Sequence, residues 1–315
     1  MRYTLRSRFR GTIAGAFLGL KLTKNASEHI NQAYHQVTFT FKSLIKQGKF
    51  SIEDFHTGVQ TELPESITRE KALINTLFSA LPIALFFHEN MLKLRQNLIE
   101  VARVYNDDLI IRDSTLAICY TVAQSLNEKL NPTSVIPEIT TFIGETPTNV
   151  PQQLQIVEDL LHSDASLEQV YTELYKVNTP SNIVATAFYT FLKSIEDFRL
   201  SVLLSFKGAS NYDNHDYYLN SVITGALSGA YNSAVSIPVG WQIEYLHSGK
   251  ETTENNLLRV LLLTDELLAV WSGLYELDNQ ESKLSTETNL CNYSLPLLEE
   301  PRQCVYAAPS VIRLR

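Results

Sequence analysis

Glycine is scarce in this chain. There are 12 in 315 residues, about 4% against the usual ~7%, and only 11 prolines. Few places remain for tight turns or for backbone that closes around a phosphate, and neither a P-loop nor a Rossmann fingerprint occurs. No Ser-His-Asp motif occurs either. Cysteine is equally sparse: Cys119, Cys291 and Cys304 are an odd number with no metal-ligand spacing. Cys119 sits in the apolar run Ala117-Ile118-Cys119-Tyr120 and reads as a core residue. Such usage points to a reducing, cytoplasmic compartment. Positive charge is short, with 26 Lys and Arg against 34 Asp and Glu for a net charge of −8. That argues against nucleic-acid partners, whose binding rests on phosphate neutralisation. No apolar run reaches about 18 residues, so no membrane-spanning helix is expected. The longest candidate, Leu77 to Phe87, contains Pro82. What the chain does have is 44% apolar residues and 19% charged ones, which excludes a disordered polymer.

The few cations cluster. Arg2, Arg6, Arg8 and Arg10 open the chain, and Arg313 and Arg315 close it. Such runs are usually solvated, and a surface patch is expected. The stretch Gly11 to Leu20 after the arginines imitates the apolar part of a secretory leader. Its three glycines, the following Lys21 and Lys24, and the lack of an A-x-A site argue against one.

Helical periodicity dominates. Asn90 to Tyr105 carries Leu92, Leu94, Leu98, Val101 and Ala102 on one stripe. Thr115 to Leu130 repeats the pattern with Leu116, Cys119, Ala123 and Leu126. Val150-Pro151 opens a helix with Leu154, Val157, Leu160 and Leu161. Ser166-x-x-Gln169 is a capping box ahead of Val170, Leu174 and Val177. Ser181 to Lys193 and Asp197 to Phe206 read as a helix pair. Asn255 to Leu277 is the longest pattern, with Leu258, Leu261, Leu262, Leu268 and Trp271. Only Val37 to Phe41 alternates with period two, and one strand makes no sheet. The expected fold is a compact all-α, multi-helix bundle in one domain, residues 1–278, with a surface extension over 279–315.

Two segments concentrate the glycines. Gly11, Gly15 and Gly19 recur every four residues, and so do Gly225 and Gly229. That spacing puts them on one helix face, where a second backbone can approach closely. A glycine inside a helix costs about 0.5–1 kcal/mol relative to alanine. Five of 12 glycines in two helices therefore predicts that these helices pack against each other at the centre of the bundle.

At these segments the sequence resembles a known family. Arg8-Phe-Arg-Gly-Thr-Ile-Ala-Gly-Ala-Phe-Leu-Gly-Leu20 is similar to the opening helix of the ADP-ribosylglycohydrolases, RFRG-x-x-x-G-x-x-x-G-D. Ser221-Val-Ile-Thr-Gly-Ala-Leu-Ser-Gly-Ala-Tyr231, followed by Ile237-Pro238 and Trp241, is similar to the family's closing helix and its I-P-x-x-W segment. Ala80-Leu-Pro-Ile-Ala84 is similar to R-x-A-P-L-G. The resemblance spans residues 8 to 247. It implies an all-α fold and, in active members, removal of ADP-ribose from modified side chains with two Mg²⁺ ions held by Asp, Glu and Thr. Hard cations need several converging oxygen ligands.

Those ligands are largely replaced. The family's opening G-D becomes Gly19-Leu20-Lys21. The T-D-D motif is absent, and the nearest acidic pair is Glu53-Asp54. The late G-D-T-D-T-I-G aligns with His215-Asp216-Tyr217-Tyr218-Leu219-Asn220-Ser221. Asp213, His215 and Asp216, with Glu53 or Asp54, are the candidate metal ligands. The competing reading of Asp213 and Asp216 is helix capping, and that of Glu53-Asp54 is the first turn of a short helix. Tyr212, Tyr217 and Tyr218 are candidates for a ligand cleft. No residue is assigned a catalytic role. The expectation is a non-catalytic relative, a pseudoenzyme that binds a nucleotide-like ligand such as ADP-ribose, or a protein partner. No cofactor is expected unless a rebuilt site takes Mg²⁺. The alternatives are a divergent Mg-dependent hydrolase and a structural protein acting through its termini.

Overall fold

In the computed structural model the described residues are 3–21, 26–55, 68–105, 107–174, 179–210, 218–247 and 251–274. They form α-helices in the order α1 Leu5–Lys21, α2 Ala26–Gln47, α3 Arg69–Phe87, α4 Met91–Tyr105, α5 Leu109–Leu126, α6 Val135–Ile143 and α7 Val150–His162. α8 Leu167–Leu174, α9 Pro180–Lys193, α10 Phe198–Ser210, α11 Tyr218–Asn232, α12 Val239–His247 and α13 Glu251–Ser272 complete the set. No strand occurs among the described residues.

The glycine helices pack as the spacing predicts. α1 and α11 run antiparallel, with Gly11 against Gly229, Gly15 against Gly225 and Gly19 against Ser221. A Cβ added at any of these five glycines would lie closer than 3.0 Å to a backbone carbonyl oxygen of the partner helix. Gly15 faces the carbonyl of Gly225 and Gly225 faces that of Gly15, so neither helix can recede without parting the pair. Most of α3, α5, α9 and α11 is buried on every side, the mark of helices inside a large core. α3 runs antiparallel to α1, since Phe17 meets Phe78 and Phe9 meets His88. α5 lies parallel to α3: Arg69 pairs with Asp108 at one end, and Asn127 Nδ2 donates to the His88 carbonyl at the other. α3 is the one described helix long and apolar enough to cross a membrane, and 83% of that stretch is buried in protein.

Local signals explain the helix ends. Asp108 caps α5 by accepting from Ile110 N at 2.8 Å. Ser166 and Gln169 close their capping box reciprocally, at 2.8 and 3.3 Å. Arg95 donates to the last carbonyls of α6, Phe142 and Ile143, both at 2.9 Å, supplying donors that the helix end lacks. Cys119 is buried, and burial pushes its thiol pKa up.

Three expectations are corrected. Val37 to Phe41 is helical. Ala33, Val37, Phe41 and Leu44 are all buried at helical spacing, and the buried polar residues between them, Thr38 and Thr40, mimic alternation. Thr40 satisfies itself on the Gln36 carbonyl at 3.2 Å. In α13 the core stripe is Leu257, Val260, Thr264, Leu267 and Trp271, while Leu258 and Leu262 face outward. In a leucine-rich run the phase of the stripe is ambiguous, and tertiary packing chose it. In α4, Leu92 is 78% exposed while Leu94, Leu98, Val101 and Ala102 are buried.

The described N-terminal arginines are more than a solvated patch, although Arg6 stays 59% exposed. Arg6 and Arg10, one turn apart, both grip Asp265 of α13 with paired hydrogen bonds. Arg8 is buried between α1 and the end of α5, with its Nη1 on the Ser125 carbonyl and its Nη2 on Glu128 at 3.1 Å. Arg2 lies outside the described residues, as does the extension 279–315.

Candidate functional site

The resemblance directs attention to one end of the α1–α11 pair, where α1 finishes and α11 begins. Gly19 packs on the Ser221 carbonyl there. Leu20 and Leu219 are fully buried, and both belong to the apolar core. Tyr218 is 8% exposed, and its ring stacks on His29 of α2 at 4.7 Å with the planes 20° apart. Ser221 accepts from Ser205 at 3.2 Å, and Asn220 Nδ2 donates to the Ser205 carbonyl at 3.3 Å. Ser221 and Asn220 thus join α11 to α10.

Glu53 and Asp54 are exposed in a short helical turn over residues 52–55. The Asp54 carboxylate accepts from Gln47, and its backbone N donates to Ser51 Oγ at 3.4 Å. Asp213, His215, Asp216, Tyr212 and Tyr217 lie outside the described residues. Among the described residues, no three His, Cys, Asp or Glu side chains converge in a way that could hold a metal.

The described side chains at the junction do not fit a pair of Mg²⁺ ions. Each such ion takes six oxygen ligands in octahedral geometry at about 2.0–2.1 Å, keeps several waters, and is held by carboxylates. Leu20 and Leu219 are buried and present only methyl groups, and Tyr218 offers a neutral phenol where the resemblance implies a carboxylate.

The same end carries a polar cleft of about 670 Å³, lined by Arg69, Asp107, Asp108, Leu109, Ile110, Pro147, Thr148 and Asn149. Asp108 is held by Arg69 at 2.7 Å as well as by its own helix cap. Behind the cleft Asp113 is wholly buried. It accepts from Thr146 and Thr148, both at 2.6 Å, and from Arg112 Nε at 2.8 Å. The buried carboxylate is paired and hydrogen-bonded, as burial of a charge requires. The sequence reading missed this cluster. Its signal was present: Arg112-Asp113 interrupts an otherwise apolar helical run, and Thr146 and Thr148 lie in the loop ahead of Pro151.

The model of the ADP-ribosylglycohydrolase family matches residues 28–276. Twenty-eight chains of solved structures match. One, titled "ADP-ribosylglycohydrolase-related protein complex", superposes with a TM-score of 0.57 at 14% identity, covering 84% of this chain and 99% of that one. No curated protein matches. At that identity the structural likeness speaks for the fold alone. The family model covers well over half of the chain.

Proposed function

The chain belongs to the ADP-ribosylglycohydrolase family, and from that premise we propose that it is a non-catalytic member, keeping the helical frame and acting by binding a ligand or partner. One observation carries the reading: Leu20 and Leu219, both fully buried, stand where the resemblance implies an acid and a threonine for the metal pair. An apolar side chain packed into the core cannot supply charge to a hard cation, and replacing ligands by leucine removes the means to orient a water or a ribose diol.

The hydrolase reading rests on Glu53 or Asp54 converging with Asp213 and Asp216. The exposed pair, with Asp54 bound to Gln47, gives it no support. The structural reading rests on the Arg-rich N-terminus and the C-terminal tail as contact surfaces; Arg6 and Arg10 are paired with Asp265 and Arg8 is buried, while the tail lies outside the described residues.

The test is a thermal shift with ADP-ribose, with and without Mg²⁺. Stabilisation follows RT ln(1 + [L]/Kd), about 2.7 kcal/mol at a hundredfold excess over Kd. The expected outcome is a rise in Tm with ADP-ribose to which Mg²⁺ adds nothing, with no turnover of ADP-ribosylated side chains. A Mg²⁺-dependent rise that Asp216→Ala abolishes overturns the non-catalytic reading. No response to millimolar ADP-ribose removes the nucleotide as ligand and leaves a protein partner.

A further inference from the structure

A second pocket lies at the opposite end of the α1–α11 pair, where α1 begins and where α5 and α11 finish. Along α1, Arg8 and Gly19 are eleven residues and about 16 Å apart, at 1.5 Å per residue. The pocket holds about 190 Å³ and is lined by Tyr3, Arg8, Ser125, Glu128, Leu130 and Tyr231. That is room for about six waters at about 30 Å³ each, enough for a tetrahedral anion and part of its carrier.

Its floor is a guanidinium with too few acceptors. The Arg8 side chain is only 8% exposed. A guanidinium carries five N–H donors. Here Nη1 donates to the Ser125 carbonyl and Nη2 to Glu128, while the buried Nε has no hydrogen-bond partner. A buried cation is stable only when paired and hydrogen-bonded. The one carboxylate offered, Glu128, is 36% exposed and meets it through a single hydrogen bond at 3.1 Å. Burial accordingly pulls the Arg8 pKa down, with the negative charge of Glu128 opposing it. Glu128 sits at φ 57°, in the left-handed region just past the end of α5, so its placement comes from the helix exit and not from a preferred backbone conformation. Around this cation the walls add two phenols, Tyr3 and Tyr231, which can donate O–H.

We propose that this pocket binds a small oxyanion, a phosphate or carboxylate group, on Arg8 and the tyrosine hydroxyls, with Glu128 as the resident competitor that the ligand displaces. Arg8 serves both as the cap on the last turn of α5 and as the anion's main partner. A bound dianion fits the guanidinium better than one tethered carboxylate does, because charge-assisted bonds to arginine strengthen when two form side by side. The chemistry needs no metal and is independent of the junction near Leu20.

The probe is inorganic phosphate, titrated against the full chain at constant ionic strength, with Tm as the readout and with acetate and chloride run in parallel. Phosphate is expected to raise Tm beyond chloride. A matching rise with acetate assigns oxyanions in general, and a rise with phosphate alone assigns phosphate groups. Two variants give opposite signs. Glu128→Gln removes the competitor and should lower the apparent phosphate Kd at least threefold. Tyr231→Phe removes one donor and should raise it at least threefold. Neither removes Arg8, so the fold is kept. A phosphate effect no larger than that of chloride overturns the proposal. So does an effect of equal size in the wild type, Glu128→Gln and Tyr231→Phe.

Discussion

Two stretches of one helix pair have had different fates. Along the seam, Gly11, Gly15, Gly19, Gly225 and Gly229 keep two backbones in contact over about two turns. At the mouth, one residue beyond Gly19 and two before Ser221, two of the positions where the resemblance implies metal ligands are Leu20 and Leu219, both buried. The seam answers to packing, where any side chain collides with a carbonyl and no neighbouring rotamer can relieve it. The mouth answers to chemistry. On the reading proposed above, leucine there gives up ligands and gains buried apolar area.

That contrast can be broken by substitution, and the largest effect belongs to the seam. Gly15→Ala or Gly225→Ala should lower stability by at least about 4 kcal/mol, or leave no folded protein, in urea denaturation followed by circular dichroism. Gly240, with nothing within 4 Å of an added Cβ, is the control, and Gly240→Ala should cost nothing or stabilise slightly. Equal costs at the two positions would dissolve the contrast. Next comes the mouth. Leu219→Ala should cost about 2–5 kcal/mol by cavity formation, whereas a residue that merely lines an open site would cost little.

The N-terminal clasp ranks third. Asp265→Asn leaves Arg6 and Arg10 without their shared charge, and the loss should be about 1 kcal/mol, shrinking with added salt because the pair is partly exposed. A last effect is expected only at high pH, away from both stretches, and is absent at neutral pH. Burial first, then the charge of Glu138, pushes the Tyr120 pKa up from 10.0 to about 12. Its stabilising contribution is full below pH 10 and is lost as pH rises to about 12, because the unfolded phenol ionises first. Tyr120→Phe should therefore lose less stability across that window in pH-dependent melts.

The seam was legible in the sequence because spacing of four in a glycine-poor chain has one economical cause. The helix start set by Ser166 and Gln169 was legible too, since cap chemistry is local. The phase of α13 was not: Leu257 and Leu258, or Leu261 and Leu262, satisfy helical periodicity equally, and only the neighbouring helices choose between them. Nor was the role of Arg6, Arg8 and Arg10. A run of cations reads as solvated until Asp265 and the Ser125 carbonyl, over a hundred residues away, are brought to it. At the mouth the substitutions at residues 20, 218 and 219 were visible. That they are packed shut was not, because burial is a property of the assembled bundle. The Asp113 cluster escaped notice because its threonines come from a loop 33 and 35 residues away.

The central claim is that the seam survives while the mouth no longer holds metal. Calorimetric titration of Mg²⁺ into the full chain in the presence of saturating ADP-ribose tests it most directly. The account predicts no saturable Mg²⁺ binding, and the same trace for Asp216→Ala. Saturable binding of two ions, lost in Asp216→Ala, would contradict it.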